Sequence, residues 1–476
     1  MKRAAMHGSL WTLGGYGGSQ VLRLVVNLIL ARLLYPGAFG LMALVTVFMQ
    51  GLEMLSDIGI GPSIIQNKKG EDRAFLNTAW TIQVVRGVAL WIVTIICAGP
   101  VADFFARSDP SAAQLAHILP VAGIMAVLGG FGSTSLFTLN RKLAMRQLTV
   151  LTLAPQVGSF VVSLGWACFD RSVWAIVAGG IAYSVIRLAL SHWMNPGARD
   201  RFAWDRAAAQ ELGRFGRWVF ASTVLSFLAT HLDRIMLGKF LSLAELGLYS
   251  IGMTFARVAT QIATRLTGTV IFPILARYQD RPERMLEFAL KARRAVLWAG
   301  GAVCAAFAIF APVFFGLLYD ERYAVAGRIS QWLSIYIWTW MLTATIDRIP
   351  LALGRPRALF AANVVTTLGM VLAAGGYRLA QLPGFITGMA LANVATHLYL
   401  VTAIPCRRAA LLVQSAGFTV LTAGYALGAV GLLEWLAPRL SKWMIVFAHS
   451  ALATVPCAVA ALVVWRLMRE RKSAES

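Results

Sequence analysis

Eleven ionisable side chains fall inside long apolar stretches of this sequence: Arg23, Arg86, Arg187, Arg234, Arg257, Arg265 and Arg348 among the bases, and Glu53, Asp57, Asp233 and Asp347 among the acids. An arginine at the centre of a lipid-solvated helix costs roughly 2.5 to 3.5 kcal/mol on insertion scales. Seven at that cost approach about 20 kcal/mol, more than the net stability of about 5 to 15 kcal/mol of a typical fold. Most must therefore face a hydrated cavity, a partner or a ligand. Pairing four acids with seven bases leaves a positive surplus, which a cavity awaiting an anion explains. Arginine suits that task, because its planar fork takes phosphate oxygens in pairs and stays ionised when water is withdrawn.

Depth separates the candidates. Arg23, Arg86 and Arg257 fall near the middle of their apolar runs, and with Arg265 they are the expected ligand contacts. Arg187 and Arg348 lie within about two turns of a run's end, where a long side chain snorkels to the interface. Glu53 and Asp57 are four apart, so on one helix they share a face and repel when both are ionised. Two readings stand: they carry a coupling proton or a sodium ion, or they pair with Arg23 or Arg86 on neighbouring helices. Asp233-Arg234 and Asp347-Arg348 are sequence neighbours, about 100° apart around a helix, so each is expected to pair across helices as a structural lock.

The elements that must position these groups are transmembrane helices. Hydrophobic residues make up 58% of the 476, and the mean hydropathy is +0.68, too high for a water-facing surface. With about 20 apolar residues per crossing, about fourteen spans can be marked from residue 9 to residue 465. The first, residues 9 to 34, outruns a signal-peptide core and lacks its cleavage pattern, so it is expected to be retained as a helix. Fold class is accordingly all-α integral membrane.

Basic residues (43) outnumber acidic ones (21) two to one. Scattered between apolar runs, they form no compact basic domain for nucleic acid. With the N-terminus inside, about 27 of them fall in inner loops, Arg293 and Arg294 included, against about nine outside. That asymmetry places both termini in the cytoplasm. The charged stretch beginning Asn195-Pro196-Gly197 divides the chain after six spans. An internal repeat agrees: Leu30-Ala31-Arg32-Leu33-Leu34-Tyr35-Pro36-Gly37-Ala38-Phe39-Gly40-Leu41 aligns, at an offset of 207, with Leu237-Gly238-Lys239-Phe240-Leu241-Ser242-Leu243-Ala244-Glu245-Leu246-Gly247-Leu248. The expected organisation is a six-helix lobe over 1–208, a second over 209–405, and two further helices with a basic tail over 406–476. Two parallel bundles suggest a transporter with its ligand between them.

Other chemistries find little support. The five cysteines stand alone, no zinc spacing such as HExxH occurs, and no cofactor or metal is expected. Neither a nucleophile motif nor a phosphate-binding Walker loop is present, which argues against an enzyme and against direct use of ATP. Helix 1 carries Gly14-Gly15-Tyr16-Gly17-Gly18, and Pro120, Pro155, Pro273 and Pro350 interrupt other spans, as bending helices would require.

Three stretches carry a resemblance: Leu30 to Leu41 as written above; Asp57-Ile58-Gly59-Ile60-Gly61 with Ile64-Ile65-Gln66; and Asp233-Arg234-Ile235-Met236-Leu237-Gly238-Lys239 leading to Glu245-Leu246-Gly247-Leu248-Tyr249-Ser250. Over at least the first 360 residues the chain resembles the polysaccharide or O-antigen flippases of the multidrug/oligosaccharidyl-lipid/polysaccharide exporter superfamily. The resemblance implies two six-helix lobes around a V-shaped cationic cavity, alternating access, and a bacterial inner membrane. It implies undecaprenyl-diphosphate-linked oligosaccharide as substrate and polysaccharide polymerase or export proteins as partners. A drug or metabolite antiporter of the same superfamily, the peptidoglycan-precursor flippase, and a non-transporting scaffold of a polysaccharide assembly complex are the rival readings.

Overall fold

The computed structural model describes residues 2–475 except 58, 68, 69, 143, 195–199, 268–274, 276, 277, 279 and 280. Side chains at 2–13, 16, 66, 213–222, 224–226, 258, 259, 261–263, 265, 266, 282, 356, 442 and 465–475 lie outside the description. Among the described residues the regular structure is helical, without strands. Among the described residues nine helices are long and apolar enough to cross a membrane. Their outward faces are apolar, with Phe169 94%, Leu379 89% and Trp193 82% exposed, the surface a lipid solvent requires and water would not tolerate in such density.

Two compact units divide the chain, Met1–Gly247 and Leu248–Ser476. The first contains α1 (Lys2–Leu33), α2 (Pro36–Leu55), α3 (Ile60–Gln66), α4 (Arg73–Ala106), α5 (Leu115–Gly130), α6 (Ser135–Arg141), α7 (Met145–Phe169), α8 (Trp174–Trp193) and α9 (Arg206–Phe240). The helix α10 (Leu243–Leu266) begins here and runs on into the second unit. Within the first unit α4 packs on α5, α1 on α7, α7 and α5 on α8, and α2 on α9. The helix α9, which carries the seventh expected span, also packs on α4 and α3 of this unit. In the second unit follow α11 (Pro282–Leu318), α12 (Ala324–Ala344), α13 (Arg348–Ala352), α14 (Pro356–Ala403), α15 (Arg408–Leu436) and α16 (Lys442–Glu475). There α11 packs on α12, α15 and α16, and α12 on α14.

Local chemistry sets the ends. Pro36 occupies the first turn of α2, where its missing N–H costs nothing. Asp72 and Asp205 cap α4 and α9, accepting from the amides of Ala74 and Ala208 at 3.3 and 2.8 Å. In α14 the backbone turns non-helical at Ala380 and Gln381, two residues before Pro383, so this element comprises two helices, as the separate spans expected at 358–377 and 384–405 require. The remaining expected spans outside the nine fall on α1, α9, α10 and α12.

Three expected spans are not continuous. The run 40–64 breaks into α2 and α3, 114–138 into α5 and α6, and 329–352 into α12 and α13. Hydropathy averaged over a window does not register such breaks, because each spans only a few residues within a long apolar run. At two of the breaks side chains take up loose backbone groups. At the first, the Ser56 hydroxyl donates to the Leu52 carbonyl at 2.6 Å, the Asp57 carboxylate accepts from the Gly59 amide at 2.8 Å, and Gly59 adopts φ 67°, a left-handed conformation suited to glycine. At the second, Gln83 on α4 donates to the carbonyls of Gly129, Gly130 and Gly132 at 3.1, 3.1 and 3.0 Å. Ser133 and Thr134 donate to the two oxygens of Asp200 at 2.6 and 2.5 Å.

Candidate functional site

The first unit encloses a cavity of about 540 Å³ walled by α2 and its break, α4, the α5–α6 break and α8. Its charged lining consists of Glu53, Asp57, Arg86 and Arg187, joined by the polar side chains of Gln83, Tyr183, Ser184 and Ser191. Small residues line much of the rest. Gly87 and Gly130 let α4 and α5 approach so closely that a Cβ at Gly87 would lie 2.6 Å from the Ala126 carbonyl, whereas Gly129 faces open space.

Glu53 and Asp57 meet here, but not through helix periodicity. The helix α2 ends at Leu55, and Asp57 lies in the break beyond it, so the expectation of one shared helical face is corrected: convergence comes from the turn at Ser56. Arg86 crosses from α4 to this turn. Its Nε donates to the Ser56 hydroxyl at 2.9 Å and its Nη2 to the Glu53 backbone carbonyl at 2.5 Å. The guanidinium therefore stands at the C-terminal end of α2, where the helix dipole favours a cation. Two of its five donor positions are so used, and the residue lines the cavity.

Arg187 is the residue that depth alone assigned to the interface. It lies on α8, lines the cavity, and acts electrostatically on Glu53 together with Arg86. Among the described residues no hydrogen bond or ion pair engages its guanidinium. Tyr183, four residues earlier, lies on the same face of α8.

The other candidates lie elsewhere. Arg23 is exposed on α1, bonded to Gln20 one turn away, and is not part of this lining. Arg257 is half-buried on α10 in the second unit. Arg265 is on the same helix, its side chain outside the described residues. Asp233 and Arg234 are both buried on α9. Asp347 and Arg348 do contact each other, Nε to Oδ1 at 3.6 Å, contrary to the expected pairing across helices. Asp347 stands at the break where α13 begins, and the 100° rotation of a continuous helix does not apply there.

The second unit holds a buried cation that was read as a loop residue. Arg293 on α11 is 1% exposed. It donates to Thr345 Oγ1 at 2.9 Å, the Leu411 carbonyl and Gln414 Oε1 at 3.1 Å each, and Ser415 Oγ at 2.8 Å; His397 Nε2 lies 2.9 Å from the same Ser415 oxygen.

Helices of this length and surface, folded around a cavity bearing charge, define a polytopic helical membrane protein. A match over residues 29–327 shows that the chain belongs to the polysaccharide biosynthesis protein family. It is 23% identical over 265 residues to the "Lipopolysaccharide biosynthesis protein WzxC" of Escherichia coli, covering 56% of this chain and 53% of that protein. To the "Succinoglycan biosynthesis transport protein ExoT" of Rhizobium meliloti it is 24% identical over 331 residues, 69% of this chain and 63% of that one. The chain thus spans between half and two thirds of the length of these relatives. Among solved structures, "Lipid II flippase MurJ, inward closed conformation" aligns with a TM-score of 0.71 at 13% identity, over 97% of this chain and 99% of that one. An inward-facing multidrug resistance MATE family transporter aligns with a TM-score of 0.63 at 14% identity, over 83% and 95%. At such identities the structures establish the common fold.

Proposed function

We propose that this chain is a flippase carrying undecaprenyl-diphosphate-linked oligosaccharide units across the bacterial inner membrane, for exopolysaccharide or lipopolysaccharide O-antigen synthesis. The observation that carries the reading is a cavity of about 540 Å³ with two guanidinium groups at its wall, inside a helical membrane unit. That volume lies within the range of ligand pockets, and arginine is the side chain best matched to a diphosphate. Membership of a polysaccharide biosynthesis family, and relatives named for lipopolysaccharide biosynthesis and succinoglycan transport, support the substrate class.

In this reading the lobes are 1–208 and 209–405, with the two last helices and tail over 406–476. Both termini are cytoplasmic, transport proceeds by alternating access, and no reaction is catalysed. Arg86 meets the headgroup in the first unit, Arg257 and Arg265 serve the second, and Arg23 serves the path along α1. Glu53 and Asp57 couple the step to an ion, while Asp233 and Arg234 lock neighbouring helices. Polymerase or export proteins receive the product.

Deletion of the gene is the test. The expected result is a lipid-linked oligosaccharide accumulating on the cytoplasmic leaflet, relieved when the chain is restored; unaltered polymer export after deletion would exclude the reading. The presence of Glu53 and Asp57 on the same cavity favours one alternative, a drug or metabolite antiporter, because carboxylates attract cations. Efflux of a cationic dye that depends on both acids would establish it instead.

A further inference from the structure

We infer that Arg187 contacts the anionic headgroup directly, forming with Arg86 a two-point clamp in which Arg86 is tethered and Arg187 is the adaptable arm. The inference rests on the flippase reading and adds a residue for which depth in the span favours the interface.

The two arginines differ in how their donors are committed. Arg86 is held at the end of α2 by Ser56 and by the Glu53 carbonyl. These bonds hold it at the break and commit two of its five donors, so three remain for a ligand. Arg187 carries five donors on an exposed guanidinium that lines the same cavity, with no protein acceptor among the described residues. An unengaged arginine on the outside of a span snorkels to the headgroup layer, but this one faces the cavity wall that Glu53 and Arg86 share. Two phosphoryl groups in series present two clusters of oxygens. One guanidinium for each matches them in number and charge, and Tyr183 and Ser184, which line the same cavity, carry further donors.

The roles separate experimentally. Arg187→Gln removes a group that no hydrogen bond or ion pair engages among the described residues, so thermal stability is expected to stay close to the wild-type value. Arg86→Gln removes the contact that closes the end of α2, so stability falls along with binding. The full chain, purified in detergent or nanodiscs, is titrated with inorganic diphosphate in one arm and with long-chain polyprenyl diphosphate in lipid nanodiscs in the other. Arg187→Gln is expected to weaken binding about ten- to a hundredfold, the loss of one charge-assisted contact. Arg187→Lys, which keeps the charge without the fork, should recover part of that affinity. Weakening in both arms supports the clamp with the diphosphate itself as ligand; weakening in the lipid arm alone supports it with a membrane-held headgroup as the source. If Arg187→Gln binds as the wild type does while the wild type binds well, the clamp is overturned and the flippase reading stands. If the wild type binds neither probe, the flippase reading fails and the clamp with it.

Discussion

Gly40 and Gly247 hold the same position in the two repeats, 207 residues apart, and they pack reciprocally. A Cβ at Gly40 would lie 1.9 Å from the Leu243 carbonyl oxygen, and a Cβ at Gly247 would lie 1.9 Å from that of Pro36. Pro36 and Leu243 are themselves separated by the same offset, so the N-terminal turns of α2 and α10 cross backbone to backbone about a local pseudo-twofold axis.

Alanine at either glycine must therefore push the two helices apart. Gly40→Ala and Gly247→Ala are each expected to destabilise the purified protein by about 1 to 3 kcal/mol, the usual cost of overpacking. The double variant should lose less than the sum, because the first methyl already opens the crossing that the second needs. Thermal unfolding in detergent measures both; additive losses would mean that the two sites are independent.

Near this crossing Asp109 caps α10 from the α4–α5 loop. Its carboxylate accepts from the Leu243 amide and the Ser111 amide, both at 2.9 Å. The Leu243 amide is the main reason its pKa lies below the ordinary carboxylate value. A depressed folded-state pKa gives stability that is present above the unfolded carboxyl value and lost as pH falls through the folded one. Asp109→Asn should accordingly melt at a lower temperature than wild type at pH 7, with the gap closing on acidification below the carboxylate range. A gap that stays constant with pH would remove the charge from the explanation.

Much of this could be read from the residues. Arg86 announced itself as a charge in mid-span, and Glu53 and Asp57 as a close acidic pair, although the turn that brings them together could not be seen in a run as apolar as 40–64. The place of Arg187 on the cavity could not be read from its distance to a span's end, which measures depth along the axis and says nothing of which way the helix faces. Arg293 lies in a charged stretch that looks like a loop, since hydropathy averages over all faces; α11 in fact starts at Pro282 and runs through it. The signal was present as periodicity: Leu286, Ala289 and Leu297, all buried, place position 293 on the inward stripe.

That position makes a second stability prediction. Arg293 ties α11 to Thr345, to the first turn of α15 at Leu411, and to Gln414 and Ser415. Truncation strands several buried acceptors at once, and Arg293→Ala is expected to cost about 3 to 5 kcal/mol, in the range for breaking a buried charged cluster. Arg293→Lys should lose much of that as well, because one ammonium cannot reproduce the spread of four directed bonds. Equilibrium or thermal unfolding checks both; a lysine variant as stable as wild type would mean that charge alone, and not the fork, secures the junction.

The acids of the cavity discriminate between the two functional readings. Glu53 and Asp57 offset Arg86 and Arg187 in number, so a bound anion meets two carboxylates as well as two guanidinium groups. If the ligand is a diphosphate, Glu53→Gln removes a repulsion, and the affinity for an anionic probe should rise about tenfold, given that unit charges a few ångströms apart near a protein surface interact by a few kcal/mol before screening. Polymer export should fall at the same time if Glu53 also carries the coupling ion, since tighter binding without ion exchange stalls release. For a cationic ligand the sign reverses: Glu53→Gln weakens binding, and the anionic probe competes poorly. Parallel titrations with inorganic diphosphate and a cationic dye, at low and high salt, read the sign directly. A rise for the dye with a fall for diphosphate would contradict both assignments of the carboxylate.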